Sequence, residues 1–285
     1  MSRLRPLRRA IVLATVVALS AAVAAQATGR SHDPPGRPGD RDAERLMFAT
    51  TDSGLLLRFD AARPKRILDA QPVTGLPGGV KRRGIDFRPA TGDLYGVGSD
   101  SVVYRVNPFT AIAVPEGPSF TPALRGDWAG VGFNPTVDLV RVVTDQRHNL
   151  AVNVDPGQVM AAGADLNPGT PRVTAADYTN SSFTAVRPAT TALYVIDSGN
   201  DTLYVQNPPA AGTLTMPEPL GLDVADDNGF DVAGAENQGY LATRIPGGRG
   251  AGLYRLDLAD GHAKLAGRIG DGPRTVITGL AAWQD

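Results

Sequence analysis

The stretch Gly84-Ile85-Asp86-Phe87, followed by Leu94-Tyr95-Gly96-Val97 and Tyr104-Arg105-Val106-Asn107-Pro108, decides the fold, because its first and last pieces recur along the chain. The first piece returns as Gly130-Val131-Gly132-Phe133, Ala175-Ala176-Asp177-Tyr178, Gly229-Phe230-Asp231-Val232 and Gly279-Leu280-Ala281-Ala282, with starts 46, 45, 54 and 50 residues apart. The last piece returns as Leu57-Arg58-Phe59-Asp60, Val152-Asn153-Val154-Asp155-Pro156, Tyr204-Val205-Gln206-Asn207-Pro208 and Tyr254-Arg255-Leu256-Asp257. Its closing Asn or Asp residues are 47, 48, 52 and 50 residues apart. Two independent markers running in step define one repeat. Alternating apolar and polar residues within each piece are the period-2 pattern of a half-buried strand. The Asn-Pro or Asp-Pro that ends several copies starts a turn, since the Asx side chain bonds its own backbone and Pro presets φ.

Between the markers lie further strands, such as Leu94–Val97 and Leu139–Val143, so each unit holds about four. A four-stranded unit of roughly 40–50 residues is a propeller blade. Residues 45–73 carry the later strands of a blade without its opening strand, and residues 275–285 supply an opening strand and nothing after it. Pairing of Ile277–Trp283 with the N-terminal segment closes the ring and removes an exposed edge. The expected fold is therefore all-β, a single five-bladed β-propeller of four-stranded blades closed by its N- and C-terminal segments. Six blades, if the longer fourth unit hides extra strands, and a β-sandwich are the alternatives.

Working outward, residues 1–27 read as a signal peptide. Arg3, Arg5, Arg8 and Arg9 precede the apolar run Ala10–Val23, and two A-x-A matches follow at Ala22–Ala24 and Ala25–Ala27. That run falls short of the roughly 20 apolar residues of a spanning helix, which sets aside the alternative of a short membrane anchor. Arg8-Arg9 alone is weak support for a twin-arginine route. Residues 28–44 are dominated by Pro, Gly and charge and read as a disordered linker, leaving 45–285 as the propeller domain. The chain is expected to be secreted to the extracellular, periplasmic or cell-wall space through its N-terminal signal peptide, with no transmembrane segment in its mature part.

Without the four signal-peptide arginines, 24 of the 28 Lys and Arg residues face 29 Asp and Glu, a net charge of −5. Clustered Lys and Arg are what nucleic-acid affinity rests on, so nucleic acid is excluded as a partner. The chain has no Cys, hence no disulfide, thiolate nucleophile, lipoprotein cysteine or thiolate metal site. Its core must hold it together, and some 258 residues bury ample surface.

These stretches also resemble a known family. Gly84-Ile85-Asp86-Phe87-Arg88-Pro89-Ala90-Thr91-Gly92-Asp93-Leu94-Tyr95, Phe133-Asn134-Pro135-Thr136-Val137-Asp138 and Gln206-Asn207-Pro208-Pro209 look like signatures of the domain of unknown function 4394 family. So do Ala175–Asn180 and Ile277–Ala281. The resemblance covers essentially the whole mature domain. It implies an exported, bacterial, propeller-like domain and brings no activity with it. One departure is Gly132, where the family's Gly-Phe-Asp-Phe-Asn-Pro pattern would have Asp.

Asp86, Asp177 and Asp231 share one position in the opening strand, the strand nearest a propeller's axis. Carboxylates converging there hold a hard cation such as Ca²⁺ or act as acid and base on a sugar. The alternative is a repeated structural role, each Asp capping amides of its neighbouring blade. Gly132 and Ala281 interrupt the set. The acidic run Asp223–Asp231 contains Asp226-x-Asn228-Gly229, part of a calcium-loop pattern that Val224 breaks, and reads as a solvated loop. His32, His148 and His262 have no ligand-spaced partner and read as surface residues, which excludes a zinc site or a Ser-His-Asp triad. Tyr and Trp are too few and scattered in sequence for a stacking platform. Asn180-Ser181-Ser182 matches a glycosylation sequon, of little weight in a bacterial exported protein.

The expected function is non-catalytic binding of an extracellular protein or glycan by a monomer, with catalysis disfavoured. The second reading is a glycan-active hydrolase using the channel carboxylates. Carboxyl groups about 5–10 Å apart in an open pocket would favour that enzyme.

Overall fold

The structure, a computed structural model, describes residues 45–284 apart from 185, 235 and 273. The signal peptide, the linker and His32 lie outside the described residues.

Three strands open the domain: β1 (Leu46–Thr51), β2 (Leu55–Asp60) and β3 (Ile67–Pro72). Next come β4 (Arg82–Phe87), β5 (Leu94–Gly98), β6 (Val103–Val106) and β7 (Ala113–Pro115), then β8 (Ala129–Asn134), β9 (Leu139–Thr144), β10 (Asn149–Asn153) and β11 (Gln158–Ala162). The fourth group is β12 (Val173–Tyr178), β13 (Leu193–Asp197), β14 (Thr202–Gln206) and β15 (Leu214–Pro219), and the fifth β16 (Gly229–Ala233), β17 (Gln238–Arg244), β18 (Ala251–Leu256) and β19 (Ala263–Arg268). Last is β20 (Ile277–Ala282). Four groups form antiparallel four-stranded sheets in sequence order, and the remaining sheet has the order β20-β1-β2-β3. The opening strands β4, β8, β12, β16 and β20 adjoin one another in a closed cycle around an axis. This is a five-bladed propeller, not six blades and not a sandwich.

Closure is as the sequence predicts. β20 pairs antiparallel with β1, setting Met47 opposite Ala282, Phe48 opposite Ala281 and Ala49 opposite Leu280. Beyond the strand, the Trp283 amide donates to the Leu46 carbonyl at 2.8 Å.

Burial falls from the axis outward. β12 and β16 are buried throughout, whereas β11 and β7 are mostly exposed. The third strands depart from the expected half-buried alternation: β10 and β18 are buried at nearly every position. Both faces of a blade are covered by neighbouring blades, and a strand covered on both faces loses its polar side. The core accordingly divides into five apolar clusters, each between two adjacent blades. Met47, Phe59 and Leu280 meet Tyr240 and Leu253 in one, and Tyr95 and Val97 meet Phe133 and Val142 in another.

Of the turns predicted at Asn107-Pro108, Asp155-Pro156 and Asn207-Pro208, only the first carries the expected Asx bond, while the equivalent Asp60 and Asp257, without a following Pro, make it too. Asp60, Asn107 and Asp257 accept from the amides of Ala62, Phe109 and Ala259 at 2.8–2.9 Å. Asp155 instead accepts a 2.6 Å bond from Arg88 of the neighbouring blade.

Glycine in the opening strand has a packing reason. A Cβ on Gly130 would lie 2.3 Å from the Ala176 nitrogen, and one on Gly229 would lie 2.5 Å from the Leu280 nitrogen. Adjacent opening strands therefore approach backbone to backbone. The channel they leave, lined by Gly84, Gly130, Gly229 and Gly279 among others, holds about 10 Å³, roughly one water molecule.

Candidate functional site

The structure brings the three predicted aspartates together. Asp86 of β4, Asp177 of β12 and Asp231 of β16 each stand opposite a tyrosine on the next strand: Tyr95, Tyr194 and Tyr240. One oxygen from each carboxyl lies within 4.8 Å of the others. All three residues are sealed off, at 3%, 1% and 1% exposure.

Their hydrogen bonds cross between blades. Asp86 accepts from the Phe87 amide and from the Phe133 amide of the next blade, at 2.6 Å each. Asp177 accepts from the Val232 amide of the next blade at 2.6 Å. The structural reading thus holds fully for two of the three, each capping an amide of its neighbour, and the Ala282 amide of the next blade takes the equivalent place beside Asp231. It does not use up the acceptors. Asp177 Oδ1 and both oxygens of Asp231 are buried and accept no hydrogen bond from an N–H or hydroxyl. The Ala282 amide and the Gln284 carboxamide lie near Asp231 and favour its ionised form without completing a hydrogen bond of good geometry.

Burial dominates the electrostatics. It pushes the Asp86 carboxyl well above the usual range, assisted by the charge of Asp231. Burial does the same to Asp177, assisted by Asp86 and Asp231. Asp231 is pushed up to about 7, again by burial, with the nearby Arg45 opposing. Asp86 and Asp177 also come within hydrogen-bond reach of each other. Either protons or a cation must hold these groups together, because bare like charges in a low dielectric repel strongly.

Gly132 and Ala281 complete the ring without carboxyls. A Cβ on Gly132 would lie 2.8 Å from both Cα and Oδ1 of Asp177, so the space of a fourth aspartate is already taken.

The acidic run is not the solvated loop the sequence suggests. Asp227 is 4% exposed and takes a two-pronged bond from Arg244 at 2.8 and 2.9 Å. Asp226 pairs with Arg172 and accepts from Ser198 Oγ at 2.8 Å. A second correction concerns His148. It is buried, and its Nδ1 accepts from the Arg125 amide at 3.2 Å, with burial lowering its pKa. His262 is exposed, as expected.

Scattered aromatics do meet in space. Trp283 has Phe183 at 5.1 Å, Phe87 at 5.3 Å and Phe109 at 6.2 Å between ring centres, and the Arg58 guanidinium lies over Phe109 at 5.2 Å. Phe87 and Trp283 stand where opening strands finish, and the rings pack onto the apolar cluster between the composite blade and the β4–β7 blade.

At the other end lies a site the sequence does not announce. A cavity of 490 Å³ is lined by Thr51, Asp52, Lys81, Arg83, Asp127, Trp128 and Thr278, and Thr278 also lines the axial channel. The Arg83 side chain is only 11% exposed, with an ion pair to Asp127 at 3.5 Å and a buried Nε that has no partner. The half-buried Trp128 packs against no other ring among the described residues. Two further open cavities of similar size combine no aromatic ring with a cationic side chain: one offers Tyr204, the other Arg274.

The chain is a β-propeller whose axis holds a sealed carboxyl cluster and whose open cavity shares Thr278 with the axial channel. Residues 55–281 match the family described as Domain of unknown function (DUF4394), and the chain belongs to that family. A search of curated proteins finds no match. Among solved structures, a protein of unknown function from Bacteroides thetaiotaomicron is similar at 14% identity and a TM-score of 0.50, over 84% of this chain and 64% of that one. The nidogen/laminin complex contains a chain similar at 14% identity and a TM-score of 0.48, over 84% of this chain and 98% of that one. Myxococcus xanthus glutaminyl cyclase is similar at 12% identity and a TM-score of 0.43, over 71% and 70%. At such identities the likeness concerns the fold. Among the described residues, no helix is long and apolar enough to cross a membrane.

Proposed function

We propose that this protein is an exported, non-catalytic binding module that takes a sugar ring of a glycan in the cavity beside its axial channel. Export is supported by the residue pattern of positions 1–27. The observation that carries the binding reading is the pairing of Trp128 with Arg83 in one 490 Å³ cavity. That volume suits a small ligand. An indole face covers the C–H side of a pyranose, while the Arg83 fork and Lys81 donate to its hydroxyls or a carboxylate. Asp52 and Asp127 accept.

The hydrolase reading loses its support. Glycoside hydrolysis needs two carboxyls flanking a bound sugar in an accessible pocket, and the axial carboxyls are buried with oxygens within 4.8 Å of one another. No sugar ring reaches them.

A glycan array probed with the purified chain, followed by calorimetry on the best hit, tests the proposal. Trp128→Ala should weaken that binding at least tenfold while leaving the melting temperature within about 2 °C, as expected for a partly exposed residue. No retention of any glycan, or capture of a protein that Trp128→Ala leaves intact, would overturn it. So would release of sugar from any array hit.

A further inference from the structure

We infer that Asp86, Asp177 and Asp231 form a binding site for one divalent cation of the size of Ca²⁺, set on the propeller axis. The inference is independent of the glycan reading.

Geometry is the first support. Three oxygens that all lie within 4.8 Å of one another share a point no more than about 2.8 Å from each. Ca²⁺–oxygen distances are about 2.3–2.6 Å and Mg²⁺–oxygen distances about 2.0–2.1 Å, so Ca²⁺ needs the smaller inward adjustment. Carboxylate oxygen is the ligand type such a hard cation selects.

Unused acceptors are the second support. Buried polar atoms are almost always partnered. Here Asp177 Oδ1 and both Asp231 oxygens, on residues 1% exposed, complete no hydrogen bond of good geometry, with the Tyr178 amide near Asp177 and the Ala282 amide and Gln284 carboxamide near Asp231. The hydrogen bonds that do form leave them free: Phe87 and Phe133 hold Asp86, and Val232 holds the other oxygen of Asp177. The backbone thus fixes two carboxyls in place and leaves lone pairs facing the third.

A third observation concerns access. The glycine-lined channel leads along the axis beside Ile85, Ala176 and Phe230, the chain neighbours of the three aspartates. Asn228, which also lines it, is 3% exposed. Its amide nitrogen donates to Thr174 Oγ1 and to the Ala225 carbonyl, which orients Oδ1 as a free acceptor without a partner. A carbonyl oxygen of this kind suits a cation or its water on the way in.

Charge is the fourth. Arg45 is the cation that influences Asp231, but its guanidinium is already engaged with Glu236 and the Trp283 carbonyl. The three carboxyls have no salt bridge of their own among the described residues. A bound dication supplies the missing charge.

The test uses the full chain as purified, stripped by dialysis against a chelator, with Ca²⁺ alone as the probe and Mg²⁺ as the comparison. Equilibrium dialysis should find one Ca²⁺ per chain. At a hundred times the dissociation constant the melting temperature should rise by about 5–10 °C for a domain of this size. Mg²⁺ at the same concentration should give a clearly smaller rise. Asp231→Asn and Asp177→Asn should bind Ca²⁺ at least a hundredfold more weakly, whereas the surface variants Asp260→Asn and Asp271→Asn, at exposed positions, should bind it like the wild type. No stoichiometric Ca²⁺ at millimolar concentration, with a melting curve indifferent to chelator, overturns the inference. Undiminished binding in Asp231→Asn overturns it equally. If the axial variants fail to fold, the wild-type stoichiometry and the two surface variants still decide.

Discussion

Leu280→Ala is the most direct probe of ring closure. Leu280 sits in β20, is 1% exposed, and lies in the cluster shared by the composite blade and the β16–β19 blade, with Met47, Tyr240 and Leu253. Removing a buried leucine side chain costs about 2–5 kcal/mol, the larger value where surroundings cannot collapse into the space. Collapse is hindered here, because the Leu280 backbone already touches the position of Gly229. In a domain of this length each kcal/mol shifts the melting temperature by about 2–4 °C, so a fall of about 5–15 °C is expected. The matched control is Leu265→Ala on the outer strand β19, where the side chain is 48% exposed and the cost should stay within about 0.5 kcal/mol. Thermal unfolding followed by far-ultraviolet circular dichroism, with urea titration as a second measure, reads both. Equal effects at the two positions would mean that β20 is not the buried closing strand, and the composite blade would have to be abandoned.

Three further outcomes are expected. Deleting residues 275–285 removes the burial of Ile277 and Leu280, each worth about 1.5–3 kcal/mol, along with all pairing to β1. Against a whole-domain stability of about 5–15 kcal/mol, the shortened chain should unfold or aggregate on gel filtration, and a soluble product with an unchanged melting temperature counts against closure. Gly132→Asp, which restores the family's pattern, should destabilise by about 1–3 kcal/mol from overpacking alone, since even its Cβ would press on Asp177; equal or greater stability in urea would refute that account. His148 is held neutral by burial, so its contribution is present above the ordinary histidine value near 6.5 and is lost as pH falls through its lower folded value. The wild-type melting temperature should therefore drop more steeply below about pH 6.5 than that of His148→Asn, whose Oδ1 replaces the Nδ1 acceptor for the Arg125 amide; parallel curves would contradict this.

The blades were legible because each marker answers to a repeated physical demand. Gly84, Gly130, Gly229 and Gly279 recur where adjacent backbones touch, and Asp60, Asn107 and Asp257 recur where a turn begins. Asp86, Asp177 and Asp231 were legible as a set for the same reason. Their partial use of hydrogen bonds was not, because it depends on angles between blades that no single strand encodes. The cavity was illegible for a different reason. Arg83 and Thr278 share the position just before the opening glycine but differ in residue type, Trp128 stands one place earlier, and the three belong to three blades, so only the closed ring brings them together. His148 and Asp227 misled because their local sequence is polar, while the packing of neighbouring loops buries both. Periodicity reports on the face a strand shows its own sheet, and says little about what the next blade lays over it.

The composite blade also orders events in time. Met47 pairs with Ala282, a partner 235 positions further along the chain, whereas β1 and β2 meet across a short turn. By loop-closure entropy, bringing such distant segments together costs about 2–3 kcal/mol more than forming a hairpin. Long-range pairing of this kind slows folding. The first blade to emerge during synthesis is thus the last to be finished, and it waits with an unpaired edge at β1 until the final strand arrives.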